Sequence, residues 1–406
     1  MRRSPLLVIF FTVFLDLLGF GLVLPLLAKY GREARYGASD VEIGWLIASY
    51  SAMQFLFSPV WGRLSDRVGR RPVLMLSITG SVISHLIFTF APSLAWLFLS
   101  RLLAGVMAAN ISTAQAYVAD VTAPQDRAKG MGMVGAAVGL GFIFGPMLAI
   151  GVGRWGQSGI GLTAAALSFL DLLLVAGIVP ESLPPERRGS AASAEGRLSR
   201  MLRALSSPTI GPPIIILFLV TLAFAALEGT ITLFLTDRIG DLTPQGTRVL
   251  PEATIGKYLG FMGILVALVQ GGLTGRLAKR SGEAPLILAG SVLIAAGLLL
   301  LSAGHSPPSI LGALAVIALG QGVNVPSVNG LVSRSAAADQ QGGILGVTQG
   351  FSSLARALGP GAGGWLYGLS PTHTAPYLAG AGIVSLAAIL GLATVRSPAR
   401  PASAGQ

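Results

Sequence analysis

Residues 62–74 read GRLSDRVGRRPVL, and residues 275–287 read GRLAKRSGEAPLI. The two stretches align without gaps, and Gly, Arg, Leu, Arg, Gly and Pro recur at matching places. At almost the same offset along the chain, Gly145-Pro146 recurs as Gly359-Pro360. Two landmarks that share one offset predict an internal duplication. Because the offset preserves the order of segments, we expect two parallel repeats.

The composition around these stretches is that of a membrane protein. The chain of 406 residues is 52% hydrophobic, only 11% charged and has a mean hydropathy of +0.72, whereas soluble proteins carry about 25% charged residues. It has no cysteine and three histidines. This excludes disulfides and thiolate metal sites and argues against a zinc centre. We expect no cofactor.

Twelve segments are long and apolar enough to cross a bilayer, which takes about 20 residues. The first is read as a retained span and not as a signal peptide, because the apolar run is long and no small-residue cleavage site follows. The predicted spans are residues 6–28, 41–60, 72–91, 94–117, 130–152, 160–180, 212–235, 254–275, 285–304, 308–330, 342–367 and 376–395. The predicted fold class is therefore an all-α membrane protein with two six-helix bundles.

The basic residues predict the orientation. With the N-terminus in the cytoplasm, 19 of the 28 Lys and Arg residues fall on the cytoplasmic side and 7 on the other, as the positive-inside rule requires. Their position in short loops argues against nucleic acid as a partner. The polar stretch 180–208 divides the chain, so we expect bundles at 1–183 and 209–406 joined by a cytoplasmic linker at 184–208.

The segment 62–74 resembles the signature between spans two and three of the major facilitator superfamily. LSRLLAG, residues 99–105, is similar to a second motif of that superfamily. GLGFIFGPMLAIG, residues 139–151, is similar to the motif of its antiporter branch, although Ala149-Ile150 stand where two small residues are usual. The resemblance covers essentially the whole chain.

The first span sharpens the resemblance. LDLLGFGLVLPLL, residues 15–27, resembles the matching stretch of tetracycline/proton antiporters, and PESLPPE, residues 180–186, is typical of the same branch. The resemblance implies a monomeric inner-membrane drug/proton antiporter, with both termini cytoplasmic. It also implies a cytoplasmic gate motif and an antiporter motif. The gate motif is Gly62, Asp66, Arg67, Gly69 and Arg70, and the antiporter motif is Gly141, Gly145 and Pro146.

Charged residues inside spans are costly, so each is a candidate functional residue. Asp16 lies roughly 15 Å into the first span and Arg101 roughly 10 Å from the opposite surface, and the resemblance places both spans at the central cavity. We therefore expect an Asp16–Arg101 pairing that proton binding weakens. The proton-coupling candidates are Asp16, Arg101 and Glu228, and Arg356 joins them as a predicted cavity residue.

Two further contacts are expected from depth along the spans. Glu228 and Arg356 both lie roughly 20 Å from the cytoplasmic surface, so they are expected to form a comparable pair in the second half. Asp171 is at a height compatible with His85, and a buried structural contact between them is favoured over a proton relay.

The gate motif leads to a prediction about conformation. In the family, the aspartate at the place of Asp66 sits against the N-terminus of span eleven, here near Gly342-Gly343, where the helix end carries partial positive charge. Lys279 stands at the matching position of the second repeat. We therefore expect one such latch and not two.

The resulting hypothesis is proton-driven export of a lipophilic small molecule, neutral or cationic, by alternating access. One alternative is a transporter of a sugar, an organic anion or a lipid by symport or uniport, with Arg101 and Arg356 receiving an anion. Another is a membrane-embedded sensor or enzyme, which would need a signalling domain or a catalytic cluster that the sequence does not contain.

Overall fold

The computed structural model describes residues 5–122, 127–188, 197–244, 246, 248–335 and 341–396. Helices lie at all twelve predicted span positions. A two-stranded hairpin, β1 (Asp241–Leu242) and β2 (Arg248–Val249), precedes the eighth. The helices are α1 (Pro5–Gly31), α2 (Asp40–Val68), α3 (Arg70–Phe90), α4 (Leu94–Val106), α5 (Asn110–Val121), α6 (Arg127–Val152), α7 (Gly156–Ile178), α8 (Arg197–Ser206), α9 (Gly211–Ile239), α10 (Glu252–Leu268), α11 (Gly275–Ser281), α12 (Glu283–Ser302), α13 (Pro307–Ser335), α14 (Gln341–Leu369) and α15 (Ala375–Arg396).

The described residues contain ten helical stretches that are long and apolar enough to cross a membrane, and one of them, Met133–Ile178, includes most of α6 and all of α7. The short helix α8 occupies part of the predicted linker. Residues 189–196 of that linker lie outside the described part of the chain.

The fourth span is broken, where the sequence predicted one continuous helix. It consists of α4 and α5, and the backbone leaves the helix between Met107 and Ala109. The hydroxyl of Ser77 donates to the carbonyl of Met107 and accepts from the N–H of Ala109 at 3.1 Å, while the indole of Trp61 donates to Val106. A break inside a membrane is tolerated because neighbouring side chains satisfy the freed backbone groups.

The eighth span also departs from a regular helix. Residues Val269–Thr274 form a π-helical turn between α10 and α11. The hydroxyl of Thr274 donates to the carbonyl groups of Val269 and of Gly322, at 3.0 and 2.9 Å. The side chain thus satisfies a backbone group that the irregular turn frees.

The chain forms two compact units. The first contains Met1–Ser193 with Leu250–Gly260, and the second contains Ala194–Val249 with Phe261–Gln406. The beginning of α10 therefore packs in the first unit, where Glu252 forms an ion pair with Lys29 at 2.6 Å and accepts a hydrogen bond from Tyr30 at 3.4 Å. In the loop after α1, burial raises the pKa of Glu33, although nearby Lys29 opposes the shift.

Candidate coupling and gate sites

Asp16 lies on α1 inside the first unit and is half-buried. Ser81 on α3 donates to its Oδ1 at 3.5 Å, and Asn110, at the start of α5, lies near the carboxylate but forms no side-chain hydrogen bond with the described residues. The break in the fourth span is therefore what brings Asn110 to this acid. Sequence reasoning missed both polar partners, although an Asn in an apolar span is a signal that could have found one of them.

Arg101 on α4 is 1% exposed. Its guanidinium carbon lies 5.1 Å from the ring centre of Tyr50 and 5.7 Å from that of Phe20, so the aromatic faces stabilise its charge. Its Nε and Nη2 atoms have no hydrogen-bond partner among the described residues. The site is thus a buried cation with open donor capacity.

The expected Asp16–Arg101 pairing is not formed in this structure. Arg101 meets α1 at Phe20, one helical turn beyond Asp16, and no ion pair within 4.0 Å joins these two described residues. The prediction from depth placed the two groups at similar heights but could not specify which turn of α1 faces α4.

Asp171 on α7 is 0% exposed, and neither of its carboxylate oxygens has a hydrogen-bond partner within the described part of the chain. The predicted contact with His85 is also absent, because His85 Nδ1 lies 3.3 Å from the hydroxyl of Ser168, one turn earlier on α7. The groups that do face Asp171 are on α1. Helix α1 packs against α7 and carries Thr12 and Asp16, of which Asp16 acts electrostatically on Asp171.

In the second unit, Glu228 on α9 and Arg356 on α14 are both half-buried and interact electrostatically. They form no ion pair within 4.0 Å among the described residues. A second polar group, missed in the sequence, lies between α12 and α13. The amide of Asn324 donates to Ser291 Oγ and to the carbonyl of Ile287, both at 2.9 Å.

The gate motif forms an almost direct junction between two helices. α2 ends at Val68 and α3 begins at Arg70, so Gly69 alone makes the turn, with φ at 109°. Only glycine adopts this backbone conformation readily. A Cβ at this position would also collide with the carboxylate of Glu181.

Arg70 is the centre of the charge network at this junction. It forms ion pairs with Asp66 at 2.5 Å and with Asp120 at 2.9 Å. Glu181, just after α7, accepts the backbone N–H groups of Arg70 and Arg71 at 2.8 and 3.2 Å. A carboxylate at the first turn of a helix satisfies free N–H groups and complements the helix dipole.

The network therefore contains three residues of the predicted gate motif and two acids that were not predicted, Asp120 and Glu181. Asp66, Gly69 and Arg70 belong to it. Arg67 is exposed, and the position that a Cβ would occupy at Gly62 has no described neighbour within 4 Å. Glu181 was identified only as part of a family-typical stretch. Its role depends on the packing of α7 beside α3, which brings Glu181 to the N–H groups at the start of α3.

The antiporter motif places α6 directly against α1. A Cβ at Gly145 would lie 2.6 Å from the carbonyl carbon of Gly21, and one at Gly141 would lie 2.5 Å from Leu17 Cβ. The carbonyl of Pro146 is similarly close to Gly256 at the start of α10, 2.6 Å from a Cβ there. The small residues thus let backbones approach one another, as is common between membrane helices.

Comparison with known proteins identifies the family. The model of the Major Facilitator Superfamily matches residues 9–360 and 260–406. The chain belongs to the Major Facilitator Superfamily. It is an integral, multi-pass membrane protein, and since its relatives are transporters, it is a transporter of small molecules and not an enzyme.

The relatives include tetracycline resistance proteins and a second set of major facilitator proteins. The tetracycline resistance protein of class C from Escherichia coli is 34% identical, over 88% of each chain. The mouse major facilitator superfamily domain-containing protein 10 is 30% identical, over 88% of this chain and 86% of that protein. The crystal structure of human MFSD10, described as an organic anion transporter, matches 96% of this chain and 99% of that one with a TM-score of 0.73 and 26% identity.

Proposed function

We propose that this transporter exports a lipophilic small molecule in exchange for protons, by alternating access. The observation that carries the proposal is Asp16, a half-buried acid on α1 that is held by neutral partners and not by a fixed cation. An acid so placed can bind and release a proton without breaking an ion pair. The similarity to tetracycline resistance proteins supports drug export.

The driving force is sufficient for such a cycle. One charge that crosses the membrane potential contributes about 2.3 kcal/mol per 100 mV, which corresponds to a concentration ratio of roughly fiftyfold. Glu228 is the proposed second acid, and its negative charge favours amphipathic or cationic substrates. The 19 to 7 distribution of basic residues supports an orientation with both termini in the cytoplasm. We further propose a monomer in the inner membrane, with two bundles of six spans.

A second candidate function is organic anion transport. The observation that favours it is Arg101, whose Nε and Nη2 atoms are buried without a hydrogen-bond partner among the residues described and could receive a carboxylate or sulfonate. The similarity to human MFSD10 points in the same direction. In this alternative Arg101 binds the substrate, and Asp16 has only a structural part.

A transport panel separates the two candidates. The chain is expressed in a bacterial host that lacks its own efflux pumps, and the accumulation of tetracycline, ethidium and fluorescein is measured with and without a protonophore. Proton-driven drug export predicts lower accumulation of tetracycline or ethidium, which the protonophore and Asp16→Asn both abolish. Asp241→Asn, at the exposed hairpin, serves as the control. Export of fluorescein alone, unaffected by Asp16→Asn, supports anion transport and contradicts the proposal.

The gate motif has a separate proposed role. Asp66 is engaged with Arg70, yet its side chain remains 32% exposed, so it can also meet another group during the cycle. We retain the prediction that Asp66 binds the N-terminus of α14 when the cytoplasmic side closes. Asp66→Asn is expected to slow transport at normal expression, and an unchanged transport rate would remove the latch from the mechanism.

A further inference from the structure

Asp171 is an acid for which the described residues of the first unit provide no structural partner. It is 0% exposed, and both carboxylate oxygens lack a hydrogen bond. A buried carboxylate that only fixed the packing would be expected to accept hydrogen bonds or to face a cation. An unpaired ionised carboxylate inside a protein is costly, whereas the protonated acid avoids that cost. The side chain is therefore placed for binding a proton.

The groups around Asp171 come from two neighbouring helices. On α1 they are Asp16 and Thr12, whose hydroxyl is itself buried without a hydrogen-bond partner in the described part of the chain. On α3 the titratable group is His85, which lies one turn away against Ser168. A cation close to this cluster is Arg101 on α4, which acts on His85 and lies against aromatic rings. Asp171 therefore has another acid, and not a base, as its electrostatic partner.

The two acids differ in their access to the surroundings. Asp16 is half-buried, whereas Asp171 is fully buried. Helix α1 packs against α7, and Asp16 acts electrostatically on Asp171. Two interacting carboxylates resist simultaneous ionisation, so their protons are bound and lost by the pair and not by each residue alone. Thr12 precedes Asp16 by one helical turn on α1, and its buried hydroxyl, which has no hydrogen-bond partner among the described residues, can both accept and donate a hydrogen bond.

We propose that Asp171 is a further proton-carrying residue, in the same unit as Asp16, with which it exchanges a proton beside the Thr12 hydroxyl. Asp16 takes the proton on its accessible side, the proton passes to the Asp171 carboxylate, and Asp16 becomes ionised again. The transfer conserves charge and needs no other reactant. This inference rests on the proposed proton coupling and adds to it a storage site that is shielded from the surroundings.

Infrared spectroscopy tests the proton site without any substrate. Difference spectra between acidic and alkaline buffer are recorded on the purified full-length protein in lipid nanodiscs, in the region of the protonated carboxyl C=O stretch. Asp171→Asn should remove one component of the band and move the midpoint pH of the remaining Asp16 component. Asp171→Glu should restore a component at an altered frequency. The control Ser168→Ala, one turn away on α7, should leave the band intact.

Two results would overturn the inference. One is a difference band in Asp171→Asn that equals that of the unaltered protein, because Asp171 then does not exchange a proton. The other is loss of the Asp171 component with no change in the Asp16 midpoint, because the two acids then titrate independently. If Asp171→Asn fails to fold, the Asp171→Glu spectrum decides, since an unchanged frequency would show that position 171 contributes nothing to the band.

Transport measurements separate this inference from the proposed function. In proteoliposomes, Asp171→Asn should reduce proton-driven tetracycline accumulation about tenfold, while tetracycline exchange without a proton gradient should change less than about twofold. Equal accumulation in Asp171→Asn and the unaltered protein contradicts the role of Asp171 alone. If the unaltered protein moves no protons with tetracycline, the proposed function fails, and the infrared result still decides whether the two acids share a proton.

Discussion

The turn between α2 and α3 and its repeat between α11 and α12 have the same backbone but opposite charges. Gly69 and Gly282, at matching places in the two repeats, each make the turn with positive φ, at 109° and 77°. In the first repeat Arg70 pairs with Asp120. At the corresponding places in the second repeat, Glu283 pairs with Arg334.

This reversal shows that the turn requires glycine but does not require a particular sign of charge at either position of the ion pair. The backbone needs glycine in both repeats, because other residues rarely adopt positive φ. The ion pair needs only opposite signs, so the residue types could exchange between the two helices. The duplicated motif is therefore a shared backbone turn that carries an exchangeable pair of charges.

The two turns differ in what surrounds that pair. In the first repeat Arg70 also binds Asp66, and Glu181 binds the beginning of α3. In the second repeat Lys279 takes the place of Asp66 and forms no ion pair with the described residues, and Arg334 is 60% exposed. The first turn is thus a network, whereas the second is a single pair between exposed Arg334 and half-buried Glu283.

The largest expected effect concerns the close helix contacts that both repeats share. Gly145→Leu should abolish most folded protein, because a side chain there meets the backbone of α1, and overpacking of this kind costs about 1–3 kcal/mol or more. Gly359→Leu should act alike, since a Cβ there would lie 2.6 Å from Ala225 Cβ. Thermal unfolding and the yield of monodisperse protein measure both.

The matched controls are Gly135→Leu and Gly346→Leu, which lie on the same helices at positions without a described neighbour within 4 Å of a Cβ. Both should fold normally. Equal yields for Gly145→Leu and Gly135→Leu would show that the contact between α1 and α6 is not required.

The next effect is a difference between the two repeats when the partners of each ion pair are exchanged. Exchanging Arg70 and Asp120 should destabilise the protein by about 2 kcal/mol, a typical loss for hydrogen bonds to charged groups, because an aspartate at position 70 would face Asp66. Exchanging Glu283 and Arg334 should change stability by less than about 1 kcal/mol, because Arg334 is exposed and solvent screens the pair. Unfolding temperatures of the two double variants measure the difference, and equal shifts would contradict the network.

A smaller effect is expected at Glu181. Glu181→Gln keeps an acceptor for the N–H groups of Arg70 and Arg71 but removes the negative charge at the beginning of α3. The loss should be about 0.3–1 kcal/mol, the size of a charge–dipole interaction. The midpoint of thermal unfolding measures it, with Glu186→Gln, an exposed acid in the same segment, as the control. Identical midpoints for Glu181→Gln and the unaltered protein would show that the charge of Glu181 does not contribute to stability.

Sequence patterns could predict the features that depend on local composition. The lengths of the apolar runs located helices at all twelve predicted span positions, and the repeat located both glycine turns. The patterns could not predict which turn of one helix faces another, so the expected partners of Arg101 and Asp171 were wrong by one turn each. The break before Asn110 and the cap by Glu181 were also missed, because both depend on contacts with residues far away in the chain.

The most direct test of proton-driven export uses proteoliposomes with an acidic lumen that contains a pH-sensitive dye. Tetracycline added outside should enter and make the lumen more alkaline, because each molecule taken up is exchanged for protons. Asp16→Asn should abolish the alkalinisation, and Asp241→Asn should not. Tetracycline uptake by the unaltered protein without any change in luminal pH would contradict the account.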